Sequence, residues 1–305
     1  MKNGGGDEKR EVDRGDYFRT DLACEARTPA AAEEREQVAV GEASAAEGVT
    51  LTRRRERDGR SSVTLACGRI TARGEGELEG ISTILAEELG RMAAVMTGRA
   101  VGADLRVLVA GLGNGAMTPD AVGPHTLRRL TVTRHLRGYD EGLFAALGCC
   151  ELSALAPGVM GQTGMETGEL IRAAVELVRP HLVVAVDALA AVSCDRLAST
   201  IQLSDGGISP GAGIGNHRMA LTRETLGCPV MGVGVPTVVD SSTLVLDALE
   251  RAGMVAGEGD LPEALVAVLE QGRSFIVTPR DCDEMVSMTC RVLARALNTA
   301  FGVAD

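Results

Sequence analysis

Aromatic residues are scarce in this chain of 305 residues, which has no Trp, 2 Tyr and 4 Phe. The core must therefore be built from Leu, Val, Ile, Ala and Met, and this disfavours a fold that depends on stacked aromatic rings. Basic residues are also in deficit, because 31 Lys and Arg face 42 Asp and Glu and leave a formal charge of −11. Proteins that bind nucleic acids need a basic face, so we expect no direct nucleic-acid partner.

Long apolar segments are missing as well. The longest, residues 182–192, carries Asp187 in its middle and is too short to span a bilayer. Residues 1–10 are polar and Gly-rich and lack the apolar stretch of a secretory signal. We therefore expect a cytoplasmic protein with no membrane partner, in which the 8 cysteines are buried thiols rather than disulfides or metal ligands.

Apolar runs alternate with helical patterns along most of the chain. Buried strands are predicted by the apolar runs at 105–110, 182–186, 200–203 and 229–235. Helices are predicted at 78–96, 119–130, 170–178, 241–252, 261–270 and 281–300. Alternating runs on both sides of Asp58-Gly59 predict a hairpin, and residues 1–50 are expected to be a mobile segment with at most one short helix. The pattern predicts an α/β fold with a mostly parallel central sheet and helices on both faces.

A Gly-rich loop follows the first apolar strand. Gly111, Gly113 and Ala116 match the Gly-x-Gly-x-x-Ala form of a dinucleotide fingerprint, so a nucleotide-binding α/β protein that uses the Gly111–Ala116 loop is one alternative. That fingerprint needs a helix that begins among the glycines. Here the helix-start signals come later, with Thr118 as a good N-cap and Pro119 suited to the first helical position.

Two aspartates are the candidate catalytic residues. Asp120 falls in the predicted first helical turn after one buried strand, and Asp187 directly follows the apolar run of another. Each also has a structural interpretation, because an acidic residue there complements a helix dipole or caps the next segment. If the two strands are parallel neighbours, both carboxylates meet in one crevice. Mutual repulsion then raises the pKa of one of them, and the pair can serve as general base and general acid.

Two loops are candidates for holding a substrate backbone. Gly113 and Asn114 belong to the first, and Gly211, Gly213 and Gly215 to a second Gly-rich loop at 209–218. Bare backbone amides there could hold an oxyanion or an extended peptide, although a surface loop is the simpler interpretation. His125, His135, His181 and His217 are scattered without metal-ligand spacing. A fold-related metallopeptidase using one of them with the two aspartates stays an alternative, and we expect no cofactor.

Several segments, taken together and in order, resemble one family, the germination protease of spore-forming bacteria. The resemblance is carried by residues 17–26 (YFRTDLACEA), 111–124, 153–161 (SALAPGVMG), 186–191 (VDALAA), 209–218, 234–240 (GVPTVVD) and 278–280. It implies a cytoplasmic endopeptidase of the spore core that degrades small acid-soluble spore proteins during germination. It also implies a homotetramer, and a fold like that of the hydrogenase-maturation peptidases.

The resemblance further implies the roles of particular residues. The family's two candidate catalytic aspartates fall on Asp120 and Asp187. Its self-processing step falls between Asp21 and Leu22, so that residues 1–21 are a pro-segment of an inactive zymogen and residues 22–305 a single α/β peptidase domain.

Overall fold

The structure, a computed structural model, describes residues 34–39, 47–211, 218–254, 263–272 and 275–303. Its strands form one sheet in the order β1-β2-β3-β7-β8-β6-β4-β5, with β9 paired to β8. The strands are β1 (Glu34–Ala39), β2 (Thr50–Arg55), β3 (Ser61–Ala66), β4 (Arg106–Gly111), β5 (Glu151–Leu155), β6 (Leu182–Ala191), β7 (Thr200–Ser204), β8 (Val230–Asp240) and β9 (Ile276–Val277).

The centre of this sheet is parallel. β4 pairs in parallel with β5 and β6, and β6 pairs in parallel with β8. β7 is antiparallel to β8 and joins it to β3, β2 and β1, which are antiparallel to one another. The predicted α/β class is confirmed, and the parallel strands that motivated it form the part of the sheet around Asp187.

The predicted hairpin is confirmed by the antiparallel pairing of β2 with β3. Gly59 adopts a φ of +89° in its turn, a conformation that glycine tolerates best. The expectation of a mobile segment or short helix before residue 50 is wrong for Glu34–Ala39, which forms β1 against β2. Its local pattern is weak, so pairing with a neighbouring strand decides its conformation.

Helices cover both faces of the sheet. They are α1 (Glu75–Thr97), α2 (Val122–Leu127), α3 (Arg134–Tyr139), α4 (Glu141–Leu147), α5 (Met160–Thr163), α6 (Thr167–Val178), α7 (Arg223–Leu226), α8 (Ser241–Arg251), α9 (Glu263–Gly272) and α10 (Cys282–Phe301). α1, α2 and α10 pack on one face, and α6 packs on the other.

Alternate residues of β6 supply both cores. Val184 and Val186 belong to the core beneath α1 and α10, whereas Val183 and Ala185 belong to the core beneath α6. This two-sided burial is the physical reason for the uninterrupted apolar run, because a strand covered on both faces has no polar side.

The cysteines within the described residues are free thiols. Cys67, Cys149, Cys150, Cys282 and Cys290 are buried, as predicted, whereas Cys194 is exposed and Cys228 is half-buried. Among the described helices, none combines the length and the apolar character that crossing a membrane requires.

Candidate active site

Two glycines allow α2 to lie directly on the ends of the central strands. A Cβ atom on Gly123 would lie 2.4 Å from the backbone N and O of Leu112 and 2.6 Å from the carbonyl oxygen of Val186. A Cβ atom on Gly111 would lie 2.6 Å from the carbonyl oxygen of Gly123. Backbone therefore packs against backbone here, and the segment that carries Asp120 is held close to β4 and β6.

Asp120 ends a short 3-10 turn, Thr118–Asp120, that precedes α2. The predicted helix start is wrong in detail, since Met117 occupies the N-cap position of this turn and the α-helix begins only at Val122. The turn is joined to β8, because the Thr237 hydroxyl donates a 2.7 Å hydrogen bond to the carbonyl oxygen of Pro119.

The carboxylate of Asp120 folds back onto the Gly-rich loop. Its Oδ2 accepts a 2.7 Å hydrogen bond from the backbone N–H of Asn114. Gly113 has a φ of +103°, and a Cβ atom on it would lie 2.8 Å from Asp120 Oδ1. The loop thus fits around this carboxylate only because residue 113 has no side chain.

Asp187 lies within β6 rather than at its end, since the strand continues to Ala191. Its neighbour β4 stops opposite Val186, with Gly111 as its last paired residue. Asp187 is therefore the first residue of β6 beyond the end of β4, while β8 still pairs with it on the other side through Gly234. Its side chain is 4% exposed, and Oδ1 accepts a 2.9 Å hydrogen bond from the Ala188 N–H.

Asp120 and Asp187 line the same cleft. This cleft has a volume of about 590 Å³ and lies beyond the carboxyl ends of the central strands. Its apolar walls are formed by Leu112, Met117, Val159, Leu189, Val238 and Ile276. A crevice at this edge of a parallel sheet is the usual ligand position in open α/β folds.

The candidate substrate loops contribute to the cleft in part. Gly113, Asn114 and Gly211 line it. Gly213 and Gly215 lie outside the described residues, as do Asp21 and Leu22.

Burial raises the pKa of Asp120 above its ordinary value, while the Asn114 N–H and the positive charge of Arg218 act in the opposite direction. The sequence predicts a raised pKa from repulsion between the two carboxylates. Here the leading cause is desolvation, which penalises the charged form. A carboxyl group with a raised pKa retains its proton more readily and is better suited to general acid catalysis.

Some polar residues of the cleft have no role in the sequence-based hypothesis, and two of them matter most for the geometry of the cleft. Arg218 and Thr237 both line it. Arg218 ends the second Gly-rich loop and Thr237 belongs to the segment at 234–240. The segments could be singled out from the sequence, but nothing local distinguishes these two side chains as neighbours of Asp120.

Two of the histidines within the described residues make structural contacts. The His125 ring contacts the carbonyl oxygen of Gly115 at 3.1 Å, and His181 Nδ1 accepts a hydrogen bond from the Arg106 N–H. Within the part of the chain that the structure describes, no three His, Cys, Asp or Glu residues are grouped so that they could hold a metal ion.

Comparison with known proteins shows which family this chain resembles. The family model for germination proteases matches residues 30–256, which include Asp120 and Asp187. A germination protease of Clostridium acetobutylicum is 38% identical over 78% of this chain and 77% of its own length. The germination protease of Caldanaerobacter subterraneus subsp. tengcongensis is 35% identical over 93% of this chain and 94% of its own length. That of Bacillus subtilis is 36% identical over 73% of this chain and 72% of its own length.

On this α/β fold, the matching family model and the similar proteins define a peptidase. More specifically, the chain belongs to the germination protease family.

Proposed function

We propose that this peptidase hydrolyses small acid-soluble spore proteins during germination, with Asp120 and Asp187 activating the attacking water. The observation that carries the proposal is that two carboxylates 67 residues apart in the chain (187 − 120) line one cleft. An extended peptide can lie along the apolar walls of that cleft and bring one peptide bond to the carboxylates.

The proposed reaction uses the two aspartates in different protonation states. Asp187, ionised, takes a proton from water, and the water oxygen forms a bond to the carbonyl carbon of the peptide. The carbonyl oxygen gains the electron pair of the broken π bond. Asp120, whose pKa is raised, donates its proton to the leaving nitrogen as the C–N bond breaks. The oxyanion re-forms the C=O bond as the C–N bond breaks, so the products are a carboxylic acid and an amine, and the proton held by Asp187 then returns to Asp120 through solvent.

Replacing each aspartate by asparagine tests this assignment. Asp120→Asn and Asp187→Asn keep the shape of the side chain but remove its acid–base function, so we expect kcat on a small acid-soluble spore protein to fall by about 10²-fold or more. Asp104→Asn changes an exposed aspartate that does not line the cleft, and serves as the control. Near wild-type turnover by a folded variant would show that the replaced aspartate is not catalytic.

Two alternatives make different predictions. In the nucleotide-binding alternative, the Gly111–Ala116 loop would use its amides for phosphate. Against this, the Asn114 N–H already binds the Asp120 carboxylate, and α2 begins only at Val122. Saturable micromolar binding of NAD or a nucleoside monophosphate would favour that alternative.

The second alternative is a fold-related metallopeptidase. Loss of proteolysis on exhaustive chelation, with recovery on adding metal, would favour a metallopeptidase.

We also propose that the protein is made as a zymogen that cleaves itself between Asp21 and Leu22. The support is the resemblance carried by residues 17–26. After mild acidification of the purified protein, N-terminal sequencing should read Leu22 first, and Asp187→Asn should retain its original terminus. Full activity of protein that still begins at Met1 contradicts the zymogen.

The same resemblance leads us to propose a homotetramer that acts in the spore core. Light scattering after size-exclusion chromatography measures the oligomer directly. With a chain mass of 31.7 kDa, a tetramer is four times that mass, and a monomeric or dimeric active enzyme contradicts it.

A further inference from the structure

Arg218 is the one cation among the described residues that line the cleft. It is half-buried, and its guanidinium makes no hydrogen bond or ion pair with another described residue. Several other arginines of this chain do pair with carboxylates, as Arg53 and Arg91 do with Glu88. A guanidinium that is partly desolvated and that binds no carboxylate among the described residues is suited to binding a negative charge that arrives with the substrate or forms during the reaction.

The backbone that follows Arg218 is held by two sets of contacts. Glu166, the N-cap of α6, binds the Gly168 N–H with one carboxylate oxygen and accepts a 3.4 Å hydrogen bond from the Met219 N–H with the other. Two residues further on, Leu221 exchanges backbone hydrogen bonds of 2.8 and 3.0 Å with Ile208. These contacts anchor the segment that follows Arg218, a residue that lines the cleft.

The fit of Met219 depends on a glycine. A Cβ atom on Gly168 would lie 2.2 Å from Met219 Cε and 3.1 Å from its Cβ. The Met219 thioether end can swing away, but an added Cβ would also lie 3.0 Å from Glu166 Oε2 and 3.1 Å from Met219 Cβ, and so it presses on the contact that holds the backbone next to Arg218.

Arg218 lines the same cleft as Asp120 and Asp187. Its positive charge lowers the pKa of Asp120 in opposition to burial, which means that the guanidinium is within electrostatic range of that carboxyl. In the proposed reaction, the carbonyl oxygen beside Asp120 becomes negative when water adds. A cation held in place at a developing negative charge stabilises that charge more strongly than it stabilises the neutral carbonyl.

We propose that Arg218 is a further catalytic residue, which donates hydrogen bonds to the carbonyl oxygen of the scissile peptide bond and stabilises its negative charge in the tetrahedral intermediate. This inference rests on the proposed two-aspartate reaction. Glu166 and Gly168 then act as positioning residues for Arg218.

Steady-state kinetics of Arg218→Ala and Arg218→Lys on a small acid-soluble spore protein test the proposal. A group that acts mainly in the transition state affects kcat, so we expect Arg218→Ala to lower kcat by about 10²-fold and to change KM by less than about twofold. Arg218→Lys should fall between Arg218→Ala and wild type, because an ammonium restores charge but not the planar pair of donors. Arg223→Ala, on the exposed side of α7, is the matched control and should resemble wild type.

The positioning role has its own measurement. Gly168→Ala should lower kcat in the wild type but cause little further loss in the Arg218→Ala background, because both changes remove the same interaction. A purely structural effect of Gly168→Ala would be equally large in both backgrounds. Thermal unfolding of each variant establishes that the compared proteins are folded.

Three results overturn the inference. One is unchanged kcat and KM in folded Arg218→Ala. Another is a raised KM with unchanged kcat, which would make Arg218 a ground-state contact for a substrate carboxylate. The third is an equal loss of kcat in Arg218→Ala and Arg218→Lys together with an additive loss from Gly168→Ala.

The aspartate variants distinguish failure of this inference from failure of the proposed reaction. If Asp120→Asn and Asp187→Asn remain active in the same assay, the proposed reaction itself has failed. If they are inactive while Arg218→Ala is normal, only this inference has failed.

Discussion

Thr237 and Pro119 are 118 residues apart in the chain, yet the Thr237 hydroxyl donates a 2.7 Å hydrogen bond to the Pro119 carbonyl oxygen. Thr237 lies on β8 and is 1% exposed, and Pro119 lies in the turn that ends at Asp120. One buried hydroxyl thus fixes the position of the Asp120 turn relative to the strand that pairs with Asp187.

Thr237→Val should impair activity beyond its effect on stability. Valine has nearly the same shape but leaves the Pro119 carbonyl without its donor, at a cost of about 1–3 kcal/mol in the free energy of unfolding. The freed turn should also let Asp120 move, so kcat measured well below the melting temperature should fall by about tenfold or more.

The matched control is Thr133→Val. Thr133 is equally buried and donates a 2.5 Å hydrogen bond to the carbonyl oxygen of Cys150. Cys150 directly precedes β5, and neither residue lines the cleft. The Thr133→Val variant should unfold more easily than wild type, with little change in kcat. Equal kcat in both valine variants would mean that the Thr237 hydrogen bond stabilises the fold without positioning Asp120.

Gly113→Ala should nearly abolish activity. The added methyl group would lie 2.1 Å from the Asp120 carbonyl oxygen and 2.8 Å from its Oδ1, at a φ of +103° that alanine adopts poorly. The Asp120 carboxyl must shift, and a displacement of about 1 Å can cost about 10²-fold in rate. Turnover of the folded variant on a spore-protein substrate is the measurement.

Gly161→Ala provides the comparison for that change. Gly161 also lines the cleft, but a Cβ atom there meets nothing within 4 Å. We expect it to retain close to wild-type kcat. If Gly161→Ala loses as much activity as Gly113→Ala, the loss reflects added bulk in the cleft rather than displacement of Asp120.

Asp120→Asn should become more stable relative to wild type as the pH rises. Burial raises the folded-state pKa of Asp120, so the native protein favours the protonated carboxyl. The contribution of that proton is complete below the unfolded-state pKa, about 3.9, and is lost as the pH rises through the folded-state pKa. Asparagine does not titrate and avoids this loss.

Urea unfolding of Asp120→Asn and wild type at a series of pH values measures the effect. The difference in free energy of unfolding, variant minus wild type, should increase from acid to neutral pH and then level off. A difference that decreases over this range would mean that the ionised carboxylate is stabilised in the folded protein, contrary to the desolvation that we infer.

Strong local patterns predicted the elements on which the site is built. β4, β6, α1 and α10 are confirmed to within a few residues, except that β6 continues past Asp187 to Ala191. An apolar run predicts the part of a strand that is buried on both faces. β6 extends beyond its apolar run because residues after Asp187 still pair with β8.

Elements with weak local patterns were missed. β5 (ELSAL) mixes polar and apolar residues, and its edge is held by Thr133, whose backbone N–H and hydroxyl contact Leu152. α3 and α4 are short, and Phe144 of α4 is buried beneath Arg137 of α3. Such elements are stabilised by contacts with other parts of the chain, which no local pattern displays.

The sequence by itself determined the α/β class, the strand that carries Asp187, the strand that precedes the Asp120 loop and the membership in a peptidase family, because burial periodicity and family motifs are written along the chain. Only the tertiary structure decided that β4 stops one residue short of Asp187, that Thr237 holds the Asp120 turn, and that Arg218 enters the cleft. The physical reason is that these relationships depend on backbone approaches and hydrogen bonds between segments far apart in the chain, which exist only after the sheet has formed.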